Sequence, residues 1–569
     1  MKFLIYSTIL FLAISCSRED FRKVNTNPDN IILTDKDIDV RAIFPNAVLA
    51  QQGNDFEAFY DWNRNIKYWS AGWVPVGGMG VVATRFQTPF SASSNPYRLE
   101  NLYTRETMGV GGACFEMRSL IDKMSADSSQ RYKNIRAITY VPQAYSAFYL
   151  SDIVGSVAYS DAFRVRYSND PNALRPKYDT QEALYDTLEN QLKAVVAVIN
   201  SNPTSGQSTL GTYDLYYRGI GDEGKNWAMA ANSLRLVIAM RMMERKPAAA
   251  KAIVLSVLAD PIGPINSRAA NWVFKGGPDR ANGGNYNLAA NISGQKNVVD
   301  FMYRNADPRI RNMYRRTALT EAQFTTAKNN GSIPATEVYQ EYTGRPASFD
   351  AATANSTRHY FNNFPGATVP YSSEIQAGLF NAAVPANAGL GQGRVNFPVI
   401  TYAEVCFMRA ELAVKGVTTE NAMEWYYKGI DASAGDYDEW GNDAKVFNYA
   451  ALTPAELTAY KAKPEIVYNP ARALEQIYAQ QLVNFYRSFN ELWAFKKRTD
   501  YPFTTGYIPA EILTNGGNVV PMPRRWSIAP PQITDFNYAN KTAAISQMEE
   551  DPEFRALSDI TGRVWWDKQ

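Results

Sequence analysis

The sequence is poor in the residues that build most metal and catalytic sites. Its 569 residues include one histidine, His359, and three cysteines. A metal site with two or more histidine ligands is therefore excluded. A Ser-His-Asp triad would have to use His359, and no Gly-x-Ser-x-Gly motif accompanies that residue. We expect no catalytic residue, no metal site and no cofactor, and the sequence leaves bound Ca²⁺ open.

An excess of charge is also missing. There are 58 basic and 56 acidic residues, and no long run of Lys or Arg. This balance argues against a nucleic-acid partner. Two of the three cysteines, Cys114 and Cys406, lie in helix-like apolar contexts, which favours buried free thiols over a disulfide. The many acidic residues leave paired carboxylates for glycoside hydrolysis open, but no pair stands out.

Long apolar segments are missing after the N-terminus. Lys2 is followed by an apolar run from Phe3 to Ile14 and then by Ser15-Cys16. This pattern is typical of an export signal and is short for a membrane span. We predict a signal peptide at 1–15. A small residue before a cysteine resembles the bacterial lipoprotein box, in which Cys16 would become the lipidated first residue. The alternative is an ordinary secretory peptide with an incidental cysteine.

Helical periodicity dominates the rest of the chain. After a lipidated tether at 16–38, helical hairpins are predicted at about 112–258 and 400–496. Between them, about 262–397 is rich in Gly, Asn, Ser and Thr and is too long for one structureless loop. We predict an all-α fold of about four hairpins stacked in the tetratricopeptide-like manner, with a large irregular, loop-rich subdomain laid over this helical scaffold. Residues 39–569 are predicted to form a single domain.

The stretch 398–430 predicts two helices joined by a turn. Lys415-Gly416 has the basic residue and the glycine that are typical of a helix C-terminus. Thr418 or Thr419 is expected to cap the second helix.

The first of these two helices carries a stripe of small side chains along one face. This stripe should let a neighbouring helix approach closely, so we expect an internal seam between helical units. Glu404 and Glu411 are expected to point away from it. The stripe consists of Ala403, Cys406, Ala410 and Ala413.

Aromatic side chains in loops are the remaining candidates for a binding site. A rigid ring on a loop can stack on a sugar or hold a peptide side chain at low entropic cost. The alternative for each ring is that it packs its own loop onto the scaffold. The predicted ligand-binding residues are Trp73, Trp272, Tyr286, Tyr360, Phe361 and Tyr371.

Several motifs occur in an order that resembles a known family. The helix in 214–242 contains Asp214, Gly219 and Trp227, and Asp307-Pro308-Arg309 follows it. Further along come Pro523-Arg524-Arg525-Trp526 and the terminal Val564-Trp565-Trp566-Asp567. Together with 398–430, these motifs resemble the SusD/RagB-like nutrient-binding lipoproteins of bacterial outer membranes. One position differs from the family: Ala158 occupies a place where family members commonly have a proline.

The resemblance implies a fold, a function and a location. The implied fold has four tetratricopeptide-like units and an irregular subdomain that faces the ligand. Family members are lipid-anchored at the extracellular face of the outer membrane, where they cap a SusC-like TonB-dependent transporter. They capture an oligosaccharide, or in some branches a peptide, and are not enzymes. Besides oligosaccharide capture, peptide capture, a secreted helical glycoside hydrolase and a bare protein–protein scaffold remain alternatives.

Overall fold

The computed structural model describes residues 39–52, 65–70, 72–75, 102–103, 109–277, 292–333, 335–348, 350–351, 371–380 and 393–568. The predicted signal peptide, Cys16 and the tether lie outside these residues. The chain divides into two compact units, residues 1–42 and 43–569. The second unit contains all the features discussed below.

Helices form most of the second unit. The N-terminal group is α1 Phe44–Gln51, α2 Val110–Asp122, α3 Ala126–Arg131, α4 Lys133–Ile138, α5 Tyr140–Val154, α6 Gln181–Ser201, α7 Glu223–Met242 and α8 Pro247–Ala259. The remaining helices are α9 Lys296–Arg304, α10 Ile310–Met313, α11 Glu321–Asn329, α12 Tyr402–Val414, α13 Ala422–Asp443, α14 Pro454–Lys461, α15 Ala473–Asn484, α16 Phe489–Thr499 and α17 Tyr538–Glu549.

Consecutive helices pack side by side as hairpins, which confirms the predicted helical fold. Helix α6 packs against α5 and α7, α7 packs against α8, and α12 packs against α13 and α15. Thr180 begins α6 as expected, because its hydroxyl accepts a hydrogen bond from the backbone N–H of Ala183 at 3.1 Å. Helix α7 is buried along almost its whole surface and forms the centre of the N-terminal group.

The turn between α12 and α13 agrees with the sequence in one respect and corrects it in another. Gly416 has a φ of +68°, the left-handed conformation expected of a glycine that ends a helix. The predicted cap at Thr418 or Thr419 is wrong. Asn421 caps α13 instead, its side chain accepting from the N–H of Glu424 at 3.3 Å.

Helix α12 is enclosed on most sides. Ala403, Cys406 and Ala410 have no exposed surface, as the seam requires. Glu404 and Glu411, which were expected to point away from the stripe, are also buried, at 3% and 0% exposure. Helix α15 covers Glu411, which accepts a hydrogen bond from the Tyr478 hydroxyl at 3.2 Å. Glu404 instead lies near Glu491 on α16 and Arg241 on α7.

Short antiparallel strand pairs join distant parts of the chain. Strand β1 Trp73–Pro75 pairs with β3 Ile292–Gly294, and β2 Trp272–Gly276 pairs with β4 Val395–Ile400. A hairpin is formed by β5 Thr514–Asn515 and β6 Asn518–Val519. Because β2 and β4 lie near the two ends of the irregular region 262–397, their pairing closes that region directly beside α12.

The two cysteines in the described ranges, Cys114 and Cys406, are free and buried, as predicted. Burial raises the pKa of each thiol to about 12, so both remain protonated. Within the described residues, no helix combines the length and the apolar character needed to cross a bilayer.

Candidate functional site

The ends of the predicted ligand-binding loops meet at the strand pairs. Pro75 at the end of β1 pairs with Ile292 at the start of β3. The chain between Pro75 and Leu102, and the stretch 278–291 that contains Tyr286, are therefore attached at the same end of one ladder. Gly276 of β2 pairs with Val395 of β4, so 278–291 and 381–392 are also attached close together.

A third segment, 371–380, lies beside this ladder. The N–H of Ile375 donates a hydrogen bond to the carbonyl of Ile292 at 2.9 Å, and the backbones of Ser293 and Glu374 form an isolated antiparallel β-bridge. The Phe380 ring meets Trp73 edge-on, with ring centroids 4.5 Å apart. The stretches on either side of this segment, 352–370 and 381–392, therefore also begin at the β1–β3 ladder. The scaffold thus brings together the attachment points of the loops in which the sequence predicts binding.

Trp73 itself packs against other parts of the scaffold. Lys67 Nζ lies 3.8 Å from the Trp73 ring centroid, 4.0 Å from that of Phe489 and 4.7 Å from that of Phe380. Burial, reinforced by the nearby charge of Arg487, lowers the pKa of Lys67 well below its usual value. Three aromatic faces partly replace the hydration of this amine. Trp73 is only 1% exposed and helps to fix the loop attachment region.

Trp272 and Tyr371 are also enclosed, whereas the sequence led us to expect rings exposed on loops. Trp272 is 0% exposed and packs against Tyr145, Tyr216 and Trp227 at centroid distances of 5.5, 5.8 and 5.6 Å. Tyr371 is 1% exposed and belongs to a separate apolar cluster. The β2–β4 pairing places Trp272 under the helices, and Tyr371 is buried in its own cluster, so the structure does not favour direct ligand contact by either ring. Their assignment stays a prediction without structural support.

Three predicted residues, Tyr286, Tyr360 and Phe361, lie outside the described residues, as does His359. Their roles stay predictions. Within the described ranges, no group of three or more His, Cys, Asp or Glu residues could hold a metal ion.

The sequence analysis missed an exposed groove beside the start of α17. Phe536 is 61% exposed and Tyr538 is 38% exposed, and both line a cavity of about 670 Å³. The guanidinium of Arg175 lies 4.9 Å from the centroid of the Phe536 ring. Planar polar side chains surround the rings: Asp161, Arg164, Asp170, Asn172, Asp535 and Asn540. Exposed rings among amides, carboxylates and guanidiniums can stack on a sugar and bond its hydroxyls.

Side-chain amides hold the two walls of the groove together. Asn537 Nδ2 donates to the carbonyl of Pro176 at 2.8 Å, and Asn540 Nδ2 donates to the carbonyl of Arg175 at 2.7 Å. The N–H of Gln532 donates to Asp535 and lowers the pKa of that carboxyl, which stays ionised. The only local sign of this groove in the sequence is the run Asp535 to Tyr538, in which two aromatic residues flank an asparagine in a turn. The residues of the opposite wall lie more than 350 positions earlier in the chain, so the sequence does not show that they meet this run.

The chain belongs to the SusD-like family. Residues 112–527, more than half of the chain, match the family model described as "Starch-binding associating with outer membrane". A comparison with curated protein sequences finds no match.

Solved structures of other proteins share the fold. A "chitin-binding protein" is 21% identical, with a TM-score of 0.68 and coverage of 93% of this chain and 100% of that one. A SusD-like protein described as "Bacteroidetes AC2a" is 20% identical, with a TM-score of 0.65 and coverage of 94% and 100%. A chitin-binding SusD homologue from Flavobacterium johnsoniae is 17% identical, with a TM-score of 0.56 and coverage of 93% and 99%.

Proposed function

We propose that this protein is a non-catalytic lipoprotein that captures an oligosaccharide at the cell surface and delivers it to a SusC-like TonB-dependent transporter. The family match over 112–527 carries this proposal, because the family is described as starch-binding and associated with the outer membrane. The sequence supports the anchor through Cys16 after an apolar export signal.

Two features of the scaffold support sugar binding. The first is the meeting of loop ends at the β1–β3 ladder, since binding residues on loops depend on a rigid scaffold to position them. The second is the groove with Phe536 and Tyr538, which is large enough for several sugar rings. The groove is the better supported of the two, because its rings are exposed in the structure.

The choice of sugar follows from the comparisons. Two structurally similar proteins are described as chitin-binding, and the family is described as starch-binding. Chitohexaose and maltoheptaose are therefore the first probes. The protein without its signal and lipid anchor, residues 17–569, would be titrated with each by calorimetry, alongside a peptide library. Binding of at least one glycan is expected. Binding of peptides without any response to glycans would instead support the peptide alternative.

Variants then locate the binding site. Phe536→Ala is expected to weaken glycan binding about tenfold if the groove binds sugar, because a stacking platform is lost. Phe503→Ala is a matched control, since this ring is 40% exposed but does not line the groove. Tyr286→Ala, Tyr360→Ala and Phe361→Ala test the loops. Unchanged affinity in all four test variants would contradict both locations.

Catalysis, anchoring and delivery need separate measurements. Prolonged incubation with the bound glycan should release no shorter products, and sustained release would support the hydrolase alternative. Labelling of cells with an alkyne fatty acid should mark the wild-type protein but not Cys16→Ser. A TonB-dependent transporter should co-purify with the anchored protein, and its absence after mild extraction would count against delivery.

A further inference from the structure

A second cavity, separate from the groove, lies between β1, α15, α16 and the β5–β6 hairpin. Its volume is about 310 Å³, which is within the range of small-molecule sites. The wall is mostly apolar and aromatic, with contributions from Trp69, Trp73, Leu482, Tyr486, Phe489 and Val520. Such a surface suits an apolar molecule and offers few partners for the many hydroxyls of a sugar.

The mouth of this cavity is apolar as well. Ile512 and Val519 line the cavity and are also 61% and 69% exposed, so they connect its interior with solvent. Asp350 accepts hydrogen bonds at 2.8 Å from the N–H groups of Gly516 and Gly517 and so holds the turn of the hairpin in place. A ligand with an apolar tail could therefore enter past the hairpin.

Besides Arg524, which is already paired with Asp500 and Asp567, one cation in the described part of the chain lines this space: Lys496 on α16. Among the described residues, no carboxylate oxygen lies within 4 Å of its amine, and no hydrogen bond engages it. Burial lowers the pKa of Lys496 to about 8, while the charge of Glu511 acts in the opposite direction. The amine is therefore still largely protonated at neutral pH and available to an anion.

Glu511 also lines the cavity, but its carboxylate already has partners. It accepts from the N–H groups of Ala347 and Ser348 at 2.8 Å each and from Gln295 Nε2 at 3.0 Å. Trp73 lines the same wall, and its buried indole N–H has no partner among the described residues. A ligand in this cavity would therefore lie among apolar side chains, with the amine of Lys496 and the indole N–H of Trp73 as hydrogen-bond donors that lack a partner in the described part of the chain.

We propose that this cavity binds an apolar monocarboxylate, such as a medium-chain fatty acid or an arylalkanoate. The carboxylate pairs with Lys496, and the tail packs among the aromatic rings. A single carboxylate on an apolar body can pair with Lys496, the unpaired cation among the described lining residues, and brings no second polar group into the apolar space. This site is independent of the proposed sugar binding.

The test compares octanoate with octan-1-ol, which has the same tail and no charge. Calorimetric titration of the wild-type protein should show octanoate binding at least tenfold tighter than octanol. In Lys496→Met, which keeps the length of the side chain, octanoate should weaken to the level of octanol while octanol is unchanged. Lys193→Met, at an exposed position on α6, is the matched control and should behave like the wild type.

A second variant tests the location. Leu482→Trp should fill the cavity and abolish binding of both probes, with circular dichroism confirming the fold; Val520→Phe serves if Leu482→Trp does not fold. The proposal is overturned if neither probe binds the wild-type protein, if Lys496→Met binds octanoate as the wild type does, or if filling the cavity changes nothing. Chitohexaose and maltoheptaose titrations on the same variants should be unaffected, so the two proposals fail separately.

Discussion

Arg309 and Asp307 form a fully buried ion pair, with Arg309 Nη2 2.6 Å from Asp307 Oδ2. Their side chains are 1% and 0% exposed. The guanidinium also donates to Ser433 on α13, Tyr460 on α14 and Gln480 on α15. This pair therefore joins the turn before α10 to three helices. The motif that carries part of the family resemblance is a structural junction.

Arg309→Met should destabilise the protein by about 3–5 kcal/mol, because it leaves Asp307 buried without a counter-charge. Urea unfolding followed by circular dichroism measures the loss. The double variant with Asp307→Asn should recover part of it, since the orphaned charge is gone. Lys428→Gln is the control, as it breaks an exposed pair with Glu424 and should have little effect. Equal losses in Arg309→Met and Lys428→Gln would contradict the assignment.

Glu404 should make stability depend on pH. Burial, and then the negative charge of Glu491, raises its pKa well above 4.5, against the attraction of Arg241. Arg241 is already shared between Asp152 at 3.2 Å and Glu491 at 2.8 Å. The folded protein therefore holds a proton on Glu404 that the unfolded chain releases above about pH 4.5.

The sign follows from that proton. Stability from Glu404 is fully present below the unfolded pKa and falls as the pH rises towards the folded pKa, by about 1.4 kcal/mol for each pH unit. Glu404→Gln imitates the protonated acid and should gain stability relative to the wild type between pH 5 and pH 8. Urea unfolding of both proteins at the two pH values measures the difference. A difference that is the same at both pH values would contradict a raised pKa.

Gly429 on α13 allows close contact with α12. A Cβ atom at this position would lie 2.5 Å from Cε1 of Phe407, which is fully buried. Gly429→Ala should therefore destabilise the protein by about 1–3 kcal/mol through overpacking. Adding Phe407→Leu should relieve part of this loss by making room. Thermal unfolding of the three variants compares them, and a neutral Gly429→Ala would show that the seam is looser than the structure indicates.

Trp272 should affect stability and not affinity. Trp272→Ala removes a ring enclosed by other aromatic residues and should cost about 3–5 kcal/mol. Trp272→Phe should cost less. The folded fraction of Trp272→Phe should bind chitohexaose or maltoheptaose as the wild type does. An unchanged unfolding midpoint together with lost glycan affinity would restore Trp272 as a ligand contact.

Local signals explain which features could be predicted. Thr180 and Gly416 act on backbone groups a few residues away, so the sequence places the start of α6 and the end of α12 correctly. The cap of α13 could not be chosen in the same way. Thr418, Thr419 and Asn421 all suit that role, and only the path of the chain after Gly416 selects Asn421.

The burial of the predicted aromatic rings could not be read from the sequence for a different reason. Glycine-rich neighbours indicated a loop around Trp272, but strand β4, more than 120 residues later, pairs with its segment and places the ring inside. Phe536, in contrast, is exposed in a groove whose other wall includes Arg175. Exposure depends on these distant partners, so neighbouring residues in the sequence do not reveal it.

By itself the sequence determined the helical hairpins and the family, because periodicity, caps and the order of short motifs act over a few turns of chain. Only the tertiary structure decided which acids and rings are buried. Glu411 is an example: its carboxylate accepts a hydrogen bond from Nη2 of Arg498, a residue on α16, at 2.8 Å. Burying a charge is tolerable only with such a partner. Arg498 lies far from Glu411 in the sequence, so only the tertiary structure shows that the two residues form a pair.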